Sequence, residues 1–166
     1  MATDPVTHNA LIVNYFQFSL SRVPNMVYFC QSANLPGLAF GSAEQPTVLG
    51  HPVKVPTGAF RFEDLELSFR VDENLTNWRE IHNWIKTTGN YESDESTLPY
   101  EEKTSDARLL ITNSSYRPKI SINFRHVFPI SLSGLNFNTT AQDSFEMTAT
   151  VKFAFTGYEI QDLITP

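Results

Sequence analysis

Apolar and polar residues alternate through much of the chain, and alternation with period two marks a strand with one buried face. In "NYFQFSLS", Phe16, Phe18 and Leu20 fall on one side and Gln17, Ser19 and Ser21 on the other. In "EDLELSFRVD", Leu65, Leu67, Phe69 and Val71 oppose Asp64, Glu66, Ser68 and Arg70. "KISINFRHV" sets Ile120, Ile122 and Phe124 against Lys119, Ser121, Asn123 and Arg125. The longest run, "SFEMTATVKFAFTG", sets Phe145, Met147, Ala149, Val151, Phe153 and Phe155 against Ser144, Glu146, Thr148, Thr150 and Lys152. Shorter strands are expected at Pro52–Val55 and Arg108–Thr112. "MVYFCQSA" follows a turn at Val23-Pro24-Asn25, which predicts a hairpin with the strand before it.

The period changes once. From about Leu75 to Thr88, Leu75, Trp78, Ile81, Trp84 and Ile85 recur every three or four residues, the stripe of an amphipathic helix. Asn74 is the expected N-cap, Lys86 suits the last turn, and Gly89 ends the helix. Its two Trp residues are expected to pack the helix onto a sheet. The pattern therefore predicts a mainly antiparallel β protein with a single helix closing one side. The polar strand faces carry mixed charge, so they line water, either outside or in a wide wet channel.

One stretch fits no period. Asn34–Phe60 holds four of the seven glycines, four of the ten prolines and eleven apolar residues, with Glu44 and Lys54 as its only acidic or basic side chains. It is too apolar for a disordered linker and too long for an ordinary hairpin loop. It reads as a long irregular arm that either folds back on its own domain or is covered by another subunit.

Length and composition narrow the function class. With 166 residues, the chain is expected to be one domain, 1–166, able to bury a core without staples. Charged residues make up only 18%, against about 25% in an average protein. The net charge of −6 is concentrated: Tyr91–Asp106 holds six carboxylates, Glu92, Asp94, Glu95, Glu101, Glu102 and Asp106, against Lys103 alone. No basic patch suits tight nucleic-acid binding. Cys30 is the only cysteine, so neither an internal disulfide nor a cysteine metal site is expected. The opening MATDPVTHNA lacks a basic segment before an apolar core, and no apolar run is long enough to span a membrane. His8, His51, His82 and His126 fall in a tail, an apolar loop, a helix and a strand, and no motif joins them. No nucleophile, metal or phosphate-loop motif occurs, so no catalytic residue, cofactor or metal is expected.

The order of these features resembles the tail tube protein of contractile-tailed bacteriophages. The resemblance runs from about Val13 to Glu159. It is carried by Asn14-Tyr-Phe-Gln17, the Cys30 strand leading into Leu35-Pro36-Gly37, the Asp64/Asp72-Glu73 strand leading into the helix, and the final alternating strand ending at Tyr158-Glu159. It implies an antiparallel β-sandwich or half-open barrel with one flanking α-helix, a fold shared with type VI secretion tube proteins. It implies hexameric rings stacked into a tube within the virion, assembled in the host bacterial cytoplasm. The expected partners are copies of the chain, the tail sheath protein, baseplate and tail-terminator proteins, and phage DNA in transit without specific binding. No membrane is involved. A baseplate tube-initiator or completion protein of the same fold, or a monomeric small-ligand-binding β-barrel, are the alternatives. On the tube reading, residues 1–11 form an N-terminal arm. Leu35, Pro36, Leu38, Phe40, Val48 and Leu49 mediate ring stacking from the inter-subunit arm 34–60. Asp64, Glu66, Ser68, Arg70, Glu146, Thr148, Thr150 and Lys152 line the lumen. Glu92, Asp94, Glu95, Glu101 and Glu102 in the acidic loop 91–106 face the sheath.

Overall fold

A computed structural model describes residues 15–26, 29–46, 50–89, 99–112, 117–138 and 146–163. In chain order the elements are β1 (Phe16–Leu20), a 3-10 turn (Pro24–Met26), β2 (Cys30–Ala33), β3 (Leu38–Gln45), β4 (Val53–Phe62), β5 (Leu65–Arg70), α1 (Thr76–Thr88), α2 (Tyr100–Lys103), β6 (Ser105–Thr112), β7 (Pro118–Leu132), β8 (Thr148–Ala154) and β9 (Gly157–Asp162). The fold is mainly β with one substantial helix, as the alternation predicts. The large sheet runs β1-β6-β7-β8-β5-β2, with β9 added on β7, while β3 and β4 pair only with each other.

The 15-residue β7 joins two half-sheets. Its first part pairs with β6 and β9, and its second part with β8. The break falls at His126, a non-glycine residue at φ 52. There the register with β6 jumps from Ala107↔Phe124 to Ser105↔Val127, so β7 carries an extra residue. An extra residue bends its strand, and such bends let one strand turn a corner between two packed sheets. The halves then face each other around one core. Phe18, Leu20, Leu109, Ile122 and Phe124 enter from one half and Leu65, Leu67, Phe69, Val151 and Phe153 from the other. Fully burying each such side chain stabilises the fold by about 1.5–3 kcal/mol. At one corner β1 and β2, the two ends of the sheet path, come within 8 Å of each other, giving a half-open barrel.

Helix α1 closes the core with Ile81 and Trp84. The Trp84 ring lies 6.0 Å from Phe153, and its indole N–H donates to the Lys103 carbonyl at 2.9 Å. The Trp residues are thus packing groups. The helix start differs from expectation. Asn74 does not cap it; the residue before the helix is Leu75, at φ 56 and with no side-chain cap. Asp72 and Asn77 serve instead. The Asp72 carboxylate accepts the Asn77 N–H at 3.1 Å, and the Asn77 side-chain carbonyl accepts the Trp78 N–H at 2.8 Å. Burial pushes the Asp72 carboxyl up, but hydrogen bonds from Asn77 and Thr76 outweigh it and hold the group below its ordinary value. Gly89 ends the helix at φ −82, donating to Ile85 O at 2.9 Å, so it does not adopt the left-handed conformation usual for a terminal glycine.

The hairpin expected between β1 and β2 does not form. β1 pairs with β6 and β2 with β5, because Val23 and Met26 in the connection are buried and carry the chain across the core's edge. In β2, burial pushes the Cys30 thiol up to about 11. Relative to an unburied thiol, this leaves about a hundredfold less thiolate at neutral pH. Iodoacetamide labelling of the folded protein, read by mass spectrometry, is expected to be slower than that of the denatured chain by about that factor. Equal rates would show a solvated, reactive thiol instead.

Candidate assembly surfaces

Within the described residues of the stretch Asn34–Phe60, β3 and β4 pair as an antiparallel arm rather than an irregular loop. Its inner pairs are Leu38↔Phe62, Ala39↔Arg61 and Phe40↔Phe60, and its outer pairs run from Ser42↔Pro56 to Gln45↔Val53. Between them β4 bulges at Thr57–Ala59. Gly58 sits at φ +78, and a Cβ on Gly41 would lie 2.5 Å from Thr57 Oγ1. This bulge breaks the period-two signal and hides the strands from sequence reading. Pro56 is tolerated because a two-stranded ribbon has free edges.

The arm is rooted at one place. The Glu63 N–H donates to Gly37 O at 3.0 Å. Phe62 packs 5.3 Å from Phe155 and 5.4 Å from Tyr158, whose hydroxyl donates to Pro36 O at 3.4 Å. Beyond that root the arm exposes large apolar side chains. Leu38 is 64% exposed, Phe40 59%, Phe60 63% and Val53 51%. Tyr158 and Ile160 share a face of β9, as residues two apart on a strand do. With Leu38, Phe40, Phe60 and Phe62 they line an apolar groove of about 620 Å³.

Of the residues expected to mediate stacking, Leu35, Leu38 and Phe40 are exposed. Pro36 is not: it is buried in its own domain beneath Tyr158, so it offers no surface to a neighbour. Val48 and Leu49 lie outside the described residues, as does the arm 1–11. Phe60 and Ile160 were not singled out in the sequence. Phe60 lies within the apolar run, whereas Ile160 alternates with Tyr158 like an ordinary core residue.

A second surface is the outer face of β5 and β8. The register sets Glu66 opposite Lys152, Ser68 opposite Thr150 and Arg70 opposite Thr148. Glu146 reaches diagonally to form an ion pair with Arg70, and Lys152 pairs with Glu66 at 3.6 Å. Seven of the eight expected channel-lining residues therefore share one solvated face. Asp64 stands apart, in the turn before β5, where its carbonyl accepts the Asn34 side-chain N–H at 3.1 Å.

The acidic segment is described only from residue 99. There α2 docks through backbone carbonyls. Arg22 donates to Glu102 O, and its guanidinium lies 5.1 Å from the Trp84 ring. Glu101 and Glu102 are exposed on this short helix, and Asp106 already belongs to β6. Glu92, Asp94 and Glu95 lie outside the described residues. Among the described residues no His, Cys, Asp and Glu cluster could hold a metal ion, and no helix is long and apolar enough to cross a membrane.

Known proteins share this fold. The chain is 25% identical over 134 residues to the tail tube terminator protein of Enterobacteria phage T4, covering 79% of this chain and 76% of that protein. Its fold is similar to a chain of the PVC sheath–tube complex of an extracellular contractile injection system in the extended state, with a TM-score of 0.63, 16% identity and 94% of each chain covered. It is equally similar to a chain of the tube-terminating cap of the anti-feeding prophage, with a TM-score of 0.63, 19% identity and 96% of each chain covered. A sequence model of the phage tail tube protein family matches residues 6–161, so the chain belongs to that family.

Proposed function

We infer that the chain is a structural, non-enzymatic subunit of a tail tube, and that it forms the ring that terminates the tube. The carrying observation is the apolar arm: Leu38, Phe40, Val53 and Phe60 are too exposed for a free subunit and need a protein cover. Copies of the chain are the cover, six to a ring, each arm reaching a neighbour or the adjacent ring. Joining sheets around a ring removes their edges, an aggregation hazard in a lone subunit. The terminal position is supported by the relative from phage T4, which is a tail tube terminator. A subunit of the tube body is the other member of this class.

In this reading the face of β5 and β8 lines a channel through which phage DNA passes, and the exposed carboxylates of α2 face outward, toward the sheath protein. The particle is the phage tail, built in the host bacterial cytoplasm without a membrane.

Electron microscopy of the purified protein separates the possibilities. A terminator is expected to give single rings that cap the ends of preformed tubes and stop there. Unlimited tubes would make it a body subunit. A chain that stays monomeric at every concentration, with and without tube seeds, would overturn both and favour a monomeric ligand-binding barrel.

A further inference from the structure

The polar face of β5 and β8 has an ordered charge pattern. Its central row runs across β2, β5 and β8 to Ser133, just past β7, with hydroxyl side chains alone. Ser32 on β2 is opposite Ser68 on β5, and Ser68 is opposite Thr150 on β8. Thr150 and Ser133 then exchange bonds: the Ser133 N–H donates to Thr150 O at 2.8 Å, and the Thr150 N–H donates to Ser133 Oγ at 2.9 Å. On one side of this row stands the Arg70–Glu146 pair, on the other the Lys152–Glu66 pair. Both cations of the face are thus matched by a carboxylate from the neighbouring strand.

Such pairs contribute little to stability. All four side chains are 44–64% exposed, and exposed ion pairs are worth about 0–1 kcal/mol. Their consequence is for ligands. Affinity for a polyphosphate grows with the cations free to displace counterions from it. A carboxylate beside each cation competes with phosphate for the same N–H groups and cancels the field at short range.

We propose that Glu66 and Glu146 are shielding residues, whose role is to stop Arg70 and Lys152 from holding a phosphodiester polyanion moving past this face. The proposal rests on the channel placement given under Proposed function. It adds that passage depends on these two carboxylates rather than on an absence of cations.

The test is the double variant E66Q/E146Q. Binding to a fluorescent duplex of about 25 base pairs is followed by anisotropy at low salt, with both dispersed subunits and assembled rings. The wild type is expected to bind negligibly. E66Q/E146Q is expected to bind at least tenfold more tightly, with a salt slope steeper by about two where both freed cations engage. Adding R70Q and K152Q should return binding to the wild-type level. The single changes E66Q and E146Q, each freeing one cation, should show about half the added slope. Folded E66Q/E146Q that binds no better than wild type overturns the proposal, as does wild-type protein that already binds as tightly. Binding by dispersed E66Q/E146Q but not by its rings would keep the shielding and remove the channel placement.

Discussion

L38D/F40D is expected to remain a folded monomer and to lose assembly. Both side chains are more than half exposed in the subunit, at 64% and 59%. Surface changes of this kind usually move stability by no more than about 0.5 kcal/mol each, so the melting temperature should stay within a few degrees of wild type. In an assembled ring the same positions would be covered, and an unpaired carboxylate buried against apolar surface costs several kcal/mol. At 1.4 kcal/mol per tenfold, the concentration needed for assembly should rise at least a hundredfold. Sedimentation velocity and negative-stain microscopy would measure it. Assembly at wild-type concentrations would show that the arm is not an inter-subunit surface.

The largest loss of stability is expected at Trp84. It is 3% exposed, packs on Phe153, lies under the Arg22 guanidinium and donates to Lys103 O. Trp84→Ala should cost about 3–5 kcal/mol, a large share of the roughly 5–15 kcal/mol that holds a domain together. For a chain of this size that is a fall of roughly 6–20 °C in melting temperature. Trp84→Phe keeps most of the ring and loses the N–H donor, leaving the half-buried Lys103 carbonyl short of a partner. About 1–3 kcal/mol is expected there. Calorimetry on both variants separates packing from hydrogen bonding, and equal losses would mean that the docking of α2, not the filling of the core, dominates.

The strands most legible in the sequence are those whose alternation is never interrupted. β5 and β8 match their predicted faces: Leu65, Leu67, Phe69, Ala149, Val151 and Phe153 are all buried. Their polar sides fall together because the register sets Glu66 against Lys152 and Arg70 against Thr148. The face was therefore readable strand by strand, while the diagonal Arg70–Glu146 pair needed the register. The unreadable parts each break a local rule for a tertiary reason. The arm's strands are disguised by the bulge around Gly58. The N-cap of α1 moves to Asp72 and Asn77 because Leu75 takes a left-handed turn. The turn at Val23–Asn25 looks like a hairpin, yet Val23 within it and Met26 just after it are core residues that send the two strands to opposite ends of the sheet. Pro36 reads as part of an apolar surface, but only the fold brings Tyr158 over it.

The topology also sets an order of events as the chain is synthesised. β1 meets its partner late: the Ser19 hydroxyl bonds the Arg108 carbonyl across 89 positions. Folds dominated by such distant pairings form slowly. The arm is the opposite case, since β3 and β4 are adjacent and can zip together as they emerge. Its seat on Phe155 and Tyr158 emerges only after β8. A prematurely terminated polypeptide would therefore carry an arm with no root, free to swing and unable to present its apolar face at a defined angle. The arm's seat exists only once β9 has been made, so on the ring reading proposed above this strand is needed before the apolar face can meet a neighbour.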